Sequence, residues 1–298
     1  MVTLLNIVPN FIAVGPEKTG TTKLYSLFKD NPQVSLPPFK EIRYWNEGNL
    51  IPRHSLKNVL TSSHWHYKSL RKNLIIKLLT SIRNFIFFKD ASISTLLWHF
   101  RYSFGHRSNT WYSNLFSQDG TVTGDISPLY YHIPEKKIKE CCKFNPDVKI
   151  IIFIRDPIDR AWSKARMNLL KHKKKRTVDF NLSEFQAFSK NIYKEWIPYI
   201  ESIHLWQSYF PKVHIAIYDE LLNNPIEWYQ KICKFLGIEY INHNNLKQKV
   251  NKGLEFDMPK ECEKILFQQY GKELLQVGQR YNLPNWLKKY EQLEADWK

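Results

Sequence analysis

The stretch "NFIAVGPEKTGTTKLYSLFKDNP" constrains the fold more than any other part of the chain. The apolar run Phe11–Val14 ends at Gly15, as a short buried strand does. A loop with a second glycine, Gly20, follows. Leu24, Leu27 and Phe28 then recur at helical spacing until Asn31-Pro32 stops them. A strand, a glycine loop and a helix in immediate succession gather backbone N–H groups and a helix N-terminus around one point. That arrangement is a nest for an anion, phosphate above all.

The loop is close to the nucleotide-triphosphate form G-x-x-x-x-G-K-[ST], with one change. Gly15, Gly20 and Thr22 match it, but Thr21 stands at the lysine position and Lys18 lies inside the loop. Gly20 lets the backbone approach a ligand closely, and Thr21 and Thr22 add hydroxyls. Lys18 is placed to lean over a bound phosphate toward a group in transfer, as a point charge on a developing oxyanion. The plainer alternative is a solvated loop lysine.

Beyond the loop, strand and helix patterns alternate. "QVSLPP" reads as a second strand and "TVTGDISPLYY" as a strand and turn. Val148–Asp156 is almost continuously apolar, as expected of a strand buried on both faces of a parallel sheet. Pro157 then opens a helix. "KVHIAIYDEL" reads as a further strand, "NPIEWYQKICKFLGI" as a helix closed by Gly237, and the last long helix runs from near Pro259 to about Tyr281. No linker or repeat interrupts the series. The expectation is a single α/β domain over residues 1–298, a P-loop-like, doubly wound, mainly parallel sheet flanked by helices, with a helical insertion over about residues 50–110. Inside the insertion, Leu70, Leu74, Ile75, Leu78, Leu79, Ile82, Phe85 and Ile86 fit one helical face, which packs on the domain or rests on a membrane surface.

The formal net charge of +16 favours an anionic partner. No nucleic-acid recognition motif is present, so no specific nucleic-acid partner is expected. No apolar run reaches the ~18 residues of a membrane span, which leaves only peripheral membrane contact open. The N-terminus reads as a strand and not as a signal peptide, and adjacent Cys141 and Cys142 suit reduced thiols, so a cytoplasmic location is expected. The basic run "KHKKKR", Lys171 to Arg176, is a solvated helix end or an attractor for an anionic acceptor. No His, Cys and Asp cluster has metal-ligand spacing, so no metal site is expected.

Two further segments carry chemistry. In "IRDPIDRAWS", Arg155 ends the buried strand at the sheet edge where ligands bind, and Ser163 follows two helical turns later. An arginine fork and a hydroxyl there suit a second phosphate, although an arginine paired with Asp156 or Asp159 is the structural alternative. In "FKEIRYWNE", Glu41 is set among apolar and aromatic residues and is a candidate general base.

Taken together, these segments resemble the sulfotransferase family. "GPEKTGTTKL" is similar to its 5′-phosphosulfate loop, "RDPIDRAWS" to its 3′-phosphate segment, and "FKEIRYWN" to the base-bearing segment of heparan-sulfate-type enzymes, the N-sulfotransferase branch in particular. "TGDISPLYY", "IAIYDELLNNPIEWYQKICKFLGI" and "VNKG" with the segment after it extend the resemblance over most of the chain except about residues 50–110. The resemblance implies 3′-phosphoadenosine 5′-phosphosulfate (PAPS) as donor and in-line sulfuryl transfer to a hydroxyl or amine of a carbohydrate or other acceptor, with no metal. It implies Glu41 as base and Lys18 as stabiliser of the leaving phosphate. Lys18, Thr19, Gly20, Thr21 and Thr22 would hold the 5′-phosphate, and Arg155, Ser163, Lys252 and Gly253 the 3′-phosphate.

There are departures from the family pattern. Ser163-Lys164-Ala165 replaces its S-x-Y, and Ile126 stands where glycosaminoglycan enzymes often carry lysine. The histidines offer no spacing that singles out an alternative base. Two other readings remain open from the residues alone. One is a P-loop kinase with Asp156 as a Mg²⁺ ligand after its strand. The other is a non-catalytic basic module that binds anions.

Overall fold

The computed structural model describes residues 7–46, 93–117, 119–171, 181–243, 246 and 257–297. Its centre is a five-stranded sheet of β1 (Phe11–Val14), β2 (Val34–Ser35), β3 (Val122–Ile126), β4 (Lys149–Ile154) and β5 (Val213–Ile217). The order is β2-β3-β1-β4-β5, and every pairing is parallel. Parallel neighbours need crossovers, and helices supply them: α1 (Thr21–Lys29) after β1, α2 (Ile93–Phe104) and α3 (Asn109–Ser113) before β3, and α4 (Glu135–Phe144) before β4. After β4 come α5 (Pro157–Lys171), α6 (Leu182–Lys194) and α7 (Tyr199–Tyr209). After β5 come α8 (Tyr218–Asn223), α9 (Pro225–Leu236), α10 (Lys260–Arg280) and α11 (Pro284–Trp297).

The apolar runs of β1 and β4 are explained by burial on both faces. Ile12, Val14, Ile150, Ile152 and Ile154 face one core, with α7 and α10 side chains such as Trp206, Leu266 and Leu274. Phe11, Ala13, Ile151 and Phe153 face the other, with Leu24, Leu27 and Phe28 of α1 and Trp228 and Ile232 of α9. The alternation is the period of a strand, and apolar residues at both phases put one core on each side. Gly124 of β3 has its own reason: a Cβ there would lie 2.2 Å from the Phe11 ring.

Most expected elements are present, including the helix that starts at Pro157 and the one closed by Gly237, whose φ of +80° is a left-handed cap. One boundary differs. The strand expected over "KVHIAIYDEL" stops at Ile217, and Tyr218 begins a short helix. Acidic Asp219 and Glu220 favour that first turn. The apolar stripe from Leu70 to Ile86 lies outside the described residues. Among the described residues, no helix is long and apolar enough to cross a membrane.

The chain order reverses at β1, which has β3 on one side and β4 on the other. In open parallel sheets the crevice at such a reversal, beyond the carboxyl ends of the strands, is where ligands bind. The loop from Gly15 to Gly20, Arg155 after β4 and the segment after β3 all lie at that edge.

Candidate active site

The glycine loop is shaped by its backbone. Gly15 has φ +153° and Gly20 φ +98°, both in the region that favours glycine. A Cβ on Gly15 would meet the Phe153 Cβ at 2.7 Å, and one on Gly20 would meet the Tyr218 ring at 2.9 Å. Gly20 is the N-cap of α1 and supplies no side chain there, so the first N–H groups of the helix open onto the loop. Thr19 is buried, and its hydroxyl donates to the Pro16 carbonyl at 2.8 Å. That hydrogen closes the loop. Lys18 is itself left-handed at φ +76°, with Nζ 3.8 Å from the Met167 sulfur of α5.

Helix α5 lies against this loop. Lys164 forms an ion pair with Glu17, so the residue inside the departed S-x-Y pattern ties the helix to the loop. Arg155, at the end of β4, donates from Nη1 to the Lys18 carbonyl at 3.1 Å. Its guanidinium lies 4.5 Å from the centre of the Tyr218 ring, the ring that packs against Gly20. Ser163 is buried on α5. The two segments expected to hold two phosphates are thus joined into one basic site.

Asp156 is not placed for the kinase reading. It accepts the N–H groups of Ile158 at 2.8 Å and Asp159 at 3.1 Å, which caps α5, and it takes Lys289 Nζ at 2.7 Å. Burial pushes its carboxyl up to about 6, with Asp159 adding to the rise and Lys289 opposing it. One of its oxygens is committed to the helix start and the other to Lys289 of α11.

Glu41 reaches the same edge from the other side. Its N–H donates to the Ile126 carbonyl at 3.0 Å, at the end of β3. Glu41 has φ +68° and Arg43 φ +58°. Among the described residues, four non-glycine residues have positive φ, and three of them are Lys18, Glu41 and Arg43. Each such conformation costs about 1–3 kcal/mol and concentrates at functional sites. The twisted backbone corrects one expectation. Ile42, Tyr44 and Trp45 turn into the core, and the carboxylate sits between cations instead of among apolar side chains. Arg43 Nε donates to Glu41 Oε2 at 3.2 Å, Arg43 Nη2 contacts the same oxygen, and Lys40 Nζ stands 3.9 Å from Oε1.

A buried carboxylate holds this segment in place. Asp125 of β3 is 1% exposed and accepts three hydroxyls: Ser127 at 2.6 Å, Tyr130 at 2.8 Å and Tyr112 at 2.9 Å. Burial pushes it up to about 6, and the three donors oppose the rise. Two of the donors are relays. Ser127 Oγ accepts the Arg43 N–H at 3.2 Å, and Tyr130 Oη accepts the Tyr44 N–H at 2.8 Å. Beside the segment, Phe39 packs on Trp98, His99 and Tyr102 of α2, with ring centres 5.4, 4.6 and 5.6 Å away. Part of the expected insertion therefore walls the carboxylate side of the site.

Of the residues singled out in the sequence, Lys18, Thr19, Gly20, Thr21, Thr22 and Arg155 share the loop edge, with Ser163 on the helix against it. Glu41 joins them through Lys40, which donates to both Thr21 and Thr22. Lys252 and Gly253 lie outside the described residues, as does the basic run after Lys171. Lys40, Arg43, Asp125, Tyr130 and Tyr218 were missed. Asp125 and Tyr130 carry a local signal, in "TGDISPLYY"; Arg43 pairs with Glu41 only through the left-handed turns, and Lys40 and Tyr218 depend on contacts distant in sequence.

The strand order with an anion nest at its carboxyl edge defines the P-loop-like class of α/β proteins. Within that class, residues 9–242 match the model of the sulfotransferase family, and the chain belongs to it. The chain is 24% identical over 276 residues to human bifunctional heparan sulfate N-deacetylase/N-sulfotransferase 3, covering 85% of this chain and 24% of that protein. It is 30% identical over 134 residues to mouse heparan sulfate glucosamine 3-O-sulfotransferase 5, covering 41% of this chain and 38% of that one. It thus spans well under half the length of these relatives. The crystal structure of a sulfotransferase from Alicyclobacillus acidocaldarius superposes with a TM-score of 0.60 at 19% identity, over 94% of this chain and 98% of that one, a likeness of fold.

Proposed function

We infer that the protein transfers a sulfuryl group from PAPS to a hydroxyl or amine of a carbohydrate acceptor. The observation that carries this reading is the joining of two anion-binding segments through the Arg155 bond to the Lys18 carbonyl. A donor with phosphates at both its 5′ and 3′ positions needs two such segments a ribose apart. The residues present fit it: a loop whose glycines leave no room for a Cβ, hydroxyls at Thr21 and Thr22, a guanidinium bonded to the loop backbone, and a buried Ser163 on the helix against the loop. When bound, the donor supplies the sulfuryl on its 5′-phosphate. Lys252 and Gly253 belong to the 3′-phosphate side in this reading.

The chain's own groups divide the work. Glu41 takes the proton from the acceptor as the acceptor oxygen or nitrogen bonds to sulfur. Lys18 meets the electron pair released onto the 5′-phosphate oxygen as the bond from that oxygen to sulfur breaks. Arg43 holds the carboxylate by Oε2, which leaves Oε1 to accept the proton. The names of the relatives favour a sugar acceptor.

The test is transfer of labelled sulfate from PAPS to a panel of oligosaccharides, with and without chelator. Turnover in chelator is expected. Lys18→Ala and Glu41→Gln should each lower kcat by at least 100-fold, on the order of a lost oxyanion donor or a lost base. Glu41→Gln should bind adenosine 3′,5′-bisphosphate as the wild type does. Full activity of Glu41→Gln would remove the base assignment, and ATP turnover in place of PAPS turnover would remove the whole reading.

A further inference from the structure

The surroundings of Lys40 are not explained by packing. Its Nζ donates to Thr21 Oγ1 at 3.0 Å and to Thr22 Oγ1 at 2.8 Å, on the first turn of α1. Its side chain is 17% exposed, and its neighbouring carboxylate oxygen, Glu41 Oε1, is 3.9 Å away, too far for a hydrogen bond. Among the described residues, the hydrogen bonds of this desolvated ammonium go to neutral hydroxyls and its carboxylate is offset, an arrangement that is costly unless something anionic completes it.

The segment that carries it is pinned from several directions. Tyr25 of α1 donates to the carbonyls of Pro37 at 3.0 Å and Pro38 at 3.2 Å. The Glu41 N–H is fixed to Ile126, and Phe39 is wedged into the rings of α2. The left-handed turn at Glu41 then sends successive side chains apart: Lys40 to the threonines, Glu41 to Arg43.

A threonine hydroxyl has one hydrogen to give. When its oxygen accepts from an ammonium, that hydrogen must point elsewhere, and the hydroxyl is polarised as a donor. Resting on the donor assignment above, we propose that Lys40 is a positioning residue for the phosphosulfate end of the donor, orienting the Thr21 and Thr22 hydroxyls as donors and adding a second cation to Lys18. Because the next residue is Glu41, the same segment couples the loop that holds the donor to the carboxylate that faces the acceptor.

The charged groups that bear on Lys40 are Glu41 and Arg43 of its own segment, with Lys18 on the loop and Lys23 on α1 belonging to the elements it bonds. Burial lowers Lys40 to about 8, Glu41 opposing and Arg43 assisting the fall. A phosphate bound beside it favours the charged form, so binding at pH 8.5 draws in a proton.

The experiment is titration calorimetry of the full chain with adenosine 3′,5′-bisphosphate at pH 8.5, in two buffers of different ionisation enthalpy. The variants are Lys40→Met and Lys40→Gln. The wild type is expected to bind with net proton uptake. Both variants are expected to lose about 10- to 100-fold in affinity, as for a charge-assisted bond to phosphate, and most of the uptake. Native circular dichroism with wild-type affinity in either variant overturns the proposal. So does wild-type binding with no proton uptake, a result that needs no variant to fold. If the wild type fails to bind the bisphosphate at all, the donor assignment falls and takes this proposal with it. Wild-type binding with unchanged variants removes only Lys40.

Discussion

Replacing Tyr130 with Phe removes one oxygen from the network behind Glu41. That oxygen makes two buried bonds, donating to Asp125 Oδ2 at 2.8 Å and accepting the Tyr44 N–H at 2.8 Å. Tyr130 is fully buried and Asp125 nearly so, so no water replaces what is lost. The orphaned N–H costs about 1–3 kcal/mol, and the lost bond to a charged acceptor about 1.5–3 kcal/mol. Asp125 keeps the hydroxyls of Tyr112 and Ser127, which places the total near the low end, at about 3 kcal/mol at pH 8. The two parts separate with pH. The N–H part does not titrate, whereas the bond to Asp125 is strong only while that carboxyl is ionised, above about 6. The expected loss is therefore about 1–2 kcal/mol at pH 5 and about 3 kcal/mol at pH 8. Urea unfolding followed by tryptophan fluorescence at the two pH values measures it, with the slope on urea unchanged. A loss under about 1 kcal/mol at pH 8, or an equal loss at both pH values, would refute the argument. Since the Tyr44 N–H anchors the chain behind Glu41, kcat should fall more than donor affinity.

Gly20→Ala should weaken adenosine 3′,5′-bisphosphate binding by about 10-fold or more, since alanine must adopt φ +98° and its Cβ sits 2.9 Å from Tyr218; near-wild-type affinity by calorimetry would contradict the loop geometry. Glu273→Gln should flatten part of the fall in stability with pH. Burial raises Glu273 to about 7 from its ordinary 4.5, against the pull of the Tyr199 N–H and the Trp196 indole. The folded chain then holds an extra proton between those values, so stability declines as pH rises through that window, and a neutral glutamine removes this share. Urea midpoints from pH 4.5 to 7 check it, and identical slopes for both proteins would show that Glu273 does not titrate there.

How much of the site was legible follows from how far apart its partners lie in the chain. Lys18 and the glycines lie in one loop, and Arg155 ends an apolar strand, so period and turn chemistry reveal them. Arg43 is two residues from Glu41, yet the pairing needs left-handed turns at both, and neither residue type advertises one. The apolar neighbours of Glu41 suggested a carboxylate in an apolar pocket. Those same turns send the neighbours inward and the carboxylate out to Lys40 and Arg43. Tyr218 looked like the interior of a strand, but it begins a helix and puts its ring against Gly20 and Arg155.

From the sequence alone came the alternation of strands and helices, the glycine loop after the first strand, and the order of the two segments proposed to hold phosphate. These are local properties, written in hydrophobic period, glycine placement and helix stops. The tertiary structure decided the strand order β2-β3-β1-β4-β5, and with it which loops meet. It seated β1 between β3 and β4, which brings Glu41, Lys18 and Arg155 to one edge although they are far apart in the chain. Pairing between distant strands is set by how both faces of the sheet bury their side chains, a condition on the whole chain that no short segment contains.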